Sequence, residues 1–244
     1  MATLPHVDRL HGDGLLPSSF PVSHAAMCAL CVRPAATALA FVLCVAVGSV
    51  DPTDKDEQLR YAAGTGDVDA VARLLKEGAS VNGRSKDAAT ALMGAAWGGY
   101  PAVAKLLLDA GAAVNLKDND GVTALMLTGG NPTNYVMQLK VAEMLLAAKV
   151  APDSAAEDGR TALMFAAWNG HIDIVELLLA AGVDIDQTTG EGWTALMLAA
   201  RNEQIAMTKY LIDRGANGSL RTKEGTTALQ IMQLRADGGK RNQA

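Results

Sequence analysis

Beyond residue 50 the phrase Thr-Ala-Leu recurs at Thr90, Thr123, Thr161, Thr194 and Thr227, and this recurrence restricts the fold more than any other feature. The step is 33 residues except between Thr123 and Thr161, where it is 38. Glu57 takes the corresponding place one period before Thr90 and marks a degenerate first unit. A fixed period of this size signals a stack of supersecondary units, each burying its apolar face only against its neighbours.

Inside one period the apolar spacing is helical. Leu163, Ala166 and Ala167 precede a break at Asn169-Gly170, and Ile172, Ile174, Val175 and Leu177 to Leu179 lead to Gly182. This pattern predicts two short helices joined by a tight turn, with glycine closing the second. Gly78, Gly111, Gly182 and Gly215 share that closing place. The opening threonine is placed to cap the first helix through its hydroxyl, an interaction that contributes about 1 kcal/mol per unit.

The stretches TALMFAAWNGHIDIVELLLAAGVDID (161–186) and TALMGAAWGGYPAVAKLLLDAGAAVN (90–115) resemble the ankyrin repeat family, and the likeness extends over about residues 56–236. The resemblance implies an all-α solenoid: a stack of helix-turn-helix units joined by β-hairpin or turn connections, with about five units plus a truncated C-terminal one. Two departures recur. Alanine replaces the family's opening proline at Ala91, Ala124, Ala162, Ala195 and Ala228, and methionine replaces its histidine at Met93, Met126, Met164 and Met197. Unbranched thioethers suit an apolar ladder between units.

The chain therefore divides into a leader over 1–50, a repeat domain over 51–236 and a polar tail over 237–244. Residues 35–50 carry no charge, follow Arg33 and precede an acidic, turn-forming stretch. That run is short for a membrane span and has the character of an export signal, with a start at Met27 as one way to place it near the amino terminus. The expectation is a periplasmic or secreted protein, with a retained membrane anchor as the alternative. Cys28, Cys31 and Cys44 all fall in this leader, so the repeat domain has no disulfide framework and no thiolate nucleophile or ligand.

Function classes narrow quickly. The net charge is -5, and of the 21 Lys and Arg only Arg9 and Arg33 precede residue 51. An acidic repeat domain without clustered Lys and Arg argues against a nucleic-acid partner. His171 is the only histidine beyond residue 24, and it occupies the family's Gly-His turn place without a nucleophile beside it, so a structural role is expected. Asp118 and Asp120 lack a bidentate Glu at calcium-loop spacing. No catalytic set, metal site or cofactor is expected, and the chain is not expected to be an enzyme.

What remains is binding. The resemblance implies that hairpin tips and inner-helix ends line a concave contact surface for a partner protein. Trp97 and Trp168 stand seven residues after their opening threonines, and Trp193 immediately precedes Thr194. Gly98, Asn169, Arg201 and Asn202 share the same row. Trp and Arg are enriched at binding hot spots, although indoles also serve as core. The expected module binds one partner protein, with inhibition or escort of a partner enzyme as an alternative, and meets a membrane only if the leader stays attached. The extra residues between Thr123 and Thr161 fall before the second helix, giving an enlarged turn over 129–138 in which Tyr135 is the residue to watch.

Overall fold

The computed structural model describes residues 53–241, so the expected leader, its Met27 start and all three cysteines lie outside the described residues. The described chain forms five helix pairs and one final helix. The first helices of the units are α1 (Lys55–Thr65), α3 (Ala91–Gly98), α5 (Ala124–Thr128), α7 (Ala162–Asn169), α9 (Ala195–Arg201) and α11 (Ala228–Arg241). The second helices are α2 (Val68–Lys76), α4 (Pro101–Asp109), α6 (Tyr135–Ala147), α8 (Ile172–Ala180) and α10 (Ile205–Asp213). Each first helix packs on the next, and each second helix covers its own pair, so two layers run the length of the stack.

The two layers follow from their sequences. The inner first helices are short and mostly apolar all round, and Ala91 to Trp97, Ala162 to Ala167 and Ala195 to Ala200 are buried throughout, whereas α1 and α11 at the two ends of the stack carry charged side chains on their outer sides. A helix enclosed on several sides needs that composition. Second helices are one-sided. In α8, Ile174, Val175 and Leu178 are buried while Asp173 and Glu176 are exposed.

Capping sets the start of each unit. Thr90, Thr123 and Thr194 have extended backbone, and their hydroxyls accept from the amides of Met93, Met126 and Met197 at 3.4, 3.4 and 3.2 Å. Thr161 has the same extended backbone but no such bond, and nothing in the structure explains the difference. At the other end of the units, Gly78, Gly111, Gly182 and Gly215 take φ between 86 and 93° just past the second helices. In the third unit Lys149 holds that left-handed place at φ 60°, a conformation costlier for a side-chain-bearing residue.

The connections are turns, with isolated antiparallel bridges at Lys117–Thr123 and Ala155–Thr161 rather than full strands. They are stitched from unit to unit. Asn82 Oδ1 accepts from the Ala113 amide at 2.8 Å, Asn115 Oδ1 from Ala151 at 2.8 Å, and Asp186 Oδ1 from Asn217 at 2.8 Å. The turn backbones also bond directly, Asn119 to Asp87, Glu157 to Asp120 and Lys223 to Glu191.

Three boundaries differ from the sequence reading. The first unit does not open at Glu57; Asp54 caps α1 by accepting from the amides of Asp56 and Glu57, which moves the helix start upstream. The enlarged turn ends before Gln138, because α6 already begins at Tyr135 and has 13 residues where α4 and α8 have 9. No helix breaker follows Pro132, so most of the extra length is taken up as helix. The last helix reaches Arg241, past the glycines that marked the tail.

Candidate protein-binding face

Along the first helices, the places seven and eight residues after the opening threonine decide what the face can offer. The eighth place holds asparagine in three consecutive units, and each amide reaches back to the preceding unit. Asn131 Nδ2 donates to the Trp97 carbonyl at 3.1 Å, Asn169 Nδ2 to the Gly129 carbonyl at 2.8 Å, and Asn202 Nδ2 to the Trp168 carbonyl at 2.7 Å. These are the free carbonyls at first-helix ends, which need partners when buried. Asn169 and Asn202 thus form rungs of an inter-unit ladder. The repetition of Asn at one place was the sequence signal for it.

Trp97 is covered. Only 6% of it is exposed, and its ring lies so close to Gly130 that a Cβ built there would sit 2.8 Å from the indole. Its carbonyl accepts from both Asn131 and Gln138, the latter at 2.9 Å. Gly98 lies under the Tyr100 ring, and its carbonyl accepts from Asn134 Nδ2 at 2.9 Å. The enlarged third unit therefore folds back as a clamp over the end of α3.

The clamp also grips the fourth unit. Tyr135, 44% exposed, stacks on His171 with ring centroids 5.7 Å apart and planes 18° from parallel. His171 is 6% exposed, and its Nε2 has no hydrogen-bond partner. Burial pushes the imidazole below its ordinary value of 6.5, against a hydrogen bond to the Asn131 backbone and the charge of Asp173. Such a ring stays neutral in the fold.

The pH dependence follows in sign. Below about 6.5 the unfolded chain takes up a proton that the folded ring resists, so stability present above that value is lost as pH falls toward the lower folded value. Between pH 7.5 and 5.5 the melting temperature should fall more steeply in the native chain than in His171→Phe, which keeps a ring under Tyr135. Equal slopes in thermal melts would show that His171 does not titrate against the fold.

Trp168, Trp193 and Arg201 are different. All three are half-buried, and both indoles rest against the core with part of their surface open. Trp168 and Arg201 hold the same seventh place in adjacent helices α7 and α9, joined by the Asn202 rung. The Arg201 guanidinium lies 5.0 Å from the Trp193 ring centroid. Nearby, Arg160 covers Phe165 at 4.7 Å and pairs with Asp158 at 2.6 Å. Of the residues singled out in the sequence, the structure thus gathers Trp168, Trp193 and Arg201 on one face and places Trp97, Gly98, Asn169 and Asn202 in contacts between units. Tyr135 belongs to the clamp.

Among the described residues no group of three His, Cys, Asp or Glu side chains is arranged to hold a metal ion. No described helix is long and apolar enough to cross a membrane.

A two-layer stack of helix pairs, with capped turns and first helices sharing one side, defines a helical repeat protein. Family models agree on which kind. The model described as ankyrin repeats (3 copies) matches residues 27–118 and 181–232, and that described as ankyrin repeats (many copies) matches 145–199. The first alone covers more than half of the 244 residues, and the chain belongs to the ankyrin repeat family. No curated protein matches it. Ankyrin repeats are generally protein–protein interaction modules and generally non-catalytic.

Proposed function

We propose that this chain binds a partner protein through the face that carries Trp168, Trp193 and Arg201, acting as a docking module without chemistry of its own. The observation that carries the reading is the placement of two half-open indoles and an arginine on adjacent units. Indole supplies large contact area with little conformational freedom to lose and guanidinium a planar fork of donors, and truncating such an anchor costs about 2 kcal/mol or more of binding. The uncharged run at 35–50 supports action after export, which fractionation of cells making the full chain would read directly.

Affinity capture with the full chain beside a Trp168→Ala, Trp193→Ala variant tests the face. Both proteins must first show matching far-ultraviolet circular dichroism, because the indoles also touch the core. The captured partner should be lost or weakened at least about tenfold in the variant. Equal retention of the same partner by both proteins would move the binding surface elsewhere.

A further inference from the structure

A positive charge half-buried against a helix end in an acidic domain calls for a counter-charge, and Arg201 has none at bonding distance. Among the described residues its guanidinium makes no hydrogen bond and no ion pair, although Arg73, Arg160 and Arg214 each find a carboxylate within 4 Å. Its one assigned contact is the face of Trp193. The cation whose charge acts on Arg201 is Arg235, on the final helix that packs against α9. Arg235 stands eight residues after Thr227, the place where three earlier units carry an asparagine rung, and it too has no bonded partner among the described residues.

Two arginines without a bonded partner thus stand on packed helices, Arg235 at the place where the repeat pattern supplies a neutral amide and Arg201 one residue before that place in its own unit. Burial and the Arg235 charge both push the Arg201 guanidinium below its ordinary value, and Glu224 acts in the opposite sense without reaching ion-pair distance. An anion at the Arg201 guanidinium offsets that repulsion. Guanidinium presents a planar fork of donors matched to a carboxylate, and the Trp193 ring fixes the plane of that fork.

We propose that the Arg201 guanidinium, held over Trp193, receives the carboxylate of an acidic residue in an extended peptide segment of the partner protein. The inference rests on the docking reading above and adds the chemistry of what docks. A nucleic-acid strand fits the site poorly, because it needs a run of cations along its backbone and the chain is net acidic at -5. A peptide supplies one carboxylate for the fork and apolar neighbours for the open faces of Trp168 and Trp193.

The test is selection of a displayed random dodecapeptide library on the immobilised full chain. Peptides selected by the native protein should share an Asp or Glu at one position flanked by apolar residues. A synthetic peptide of that sequence should bind Arg201→Gln about 10- to 100-fold more weakly, with Arg201→Lys in between. Its affinity should fall as salt rises. Arg235→Gln should weaken the same peptide by a smaller factor, which keeps the inference testable if changing Arg201 loosens α9. Selected peptides without an acidic position, or bound equally by Arg201→Gln and Arg235→Gln, would overturn the inference. If such peptides still depend on Trp168 and Trp193, the docking face survives and only its chemistry was misread. Peptides indifferent to both indoles, or no enrichment over bare support, would count against both.

Discussion

Leu145→Ala should lower the stability of the stack by roughly 2 to 5 kcal/mol, enough to bring the melting temperature down by several degrees. Leu145 is fully buried in α6, and α6 touches α3, α4, α5 and α8, so the cavity opens where three units meet. In a linear stack each unit is held by its neighbours, and a weak central interface also uncouples the two ends. Chemical unfolding should therefore become broader as well as easier. The contrast is Leu229→Ala, at a side chain 62% exposed on the final helix, which should shift stability by no more than about 0.5 kcal/mol. Equal losses at the two positions would mean that the third unit is not the hub of the packing.

Gly129→Val should be as damaging for the opposite reason. Gly129 ends α5 with φ -93° and ψ -5°, a backbone open to any residue, so conformational freedom is not why glycine stands there. Space is. A Cβ at this place would lie 2.7 Å from the backbone nitrogen of Ala166 and 3.0 Å from its Cα. Neither atom can swing aside as a side chain does, so α5 and α7 would have to separate, breaking the bond from Asn169 to the Gly129 carbonyl. Overpacking of this kind costs about 3 kcal/mol, and Gly129→Ala should show part of it. Gly111→Ala makes the comparison, because a Cβ there meets nothing within 4 Å and only its φ of 87° opposes the change, a penalty near 1 kcal/mol. A denaturant midpoint for Gly129→Val no lower than that for Gly111→Ala would refute the close approach.

These positions show why the sequence was legible in part. The threonine period marked the openings of five units, and at Thr90, Thr123, Thr194 and Thr227 the reason is local, a hydroxyl three residues before the amide it caps. Gly78, Gly111, Gly182 and Gly215 closed the second helices for an equally local reason. Packing between units is not local. Nothing near Trp97 in the chain announces that Gly130 and Gln138, a whole unit later, will cover its ring and occupy its carbonyl. The enlarged turn looked like a loop because Gly, Asn and Pro cluster in it. Its asparagines serve as hydrogen-bond arms to the second unit, and its tyrosine as a lid on His171. The asparagine ladder had a visible signal, the same residue in three registers, and the concave row expected of the family hid it. Trp168, Trp193 and Arg201 are only half-covered by their neighbours, and what meets their open surface lies outside the chain.

Hydrogen exchange of the full chain, alone and with its captured partner, reads out which face the partner covers. Exchange should slow in the turn leading to Trp193 and in the ends of α7 and α9, with α8 and α10 unchanged. Protection confined to α8 and α10, with the turn and the first helices exchanging as in the free protein, would place the partner on the opposite side and rule out docking at Trp168, Trp193 and Arg201.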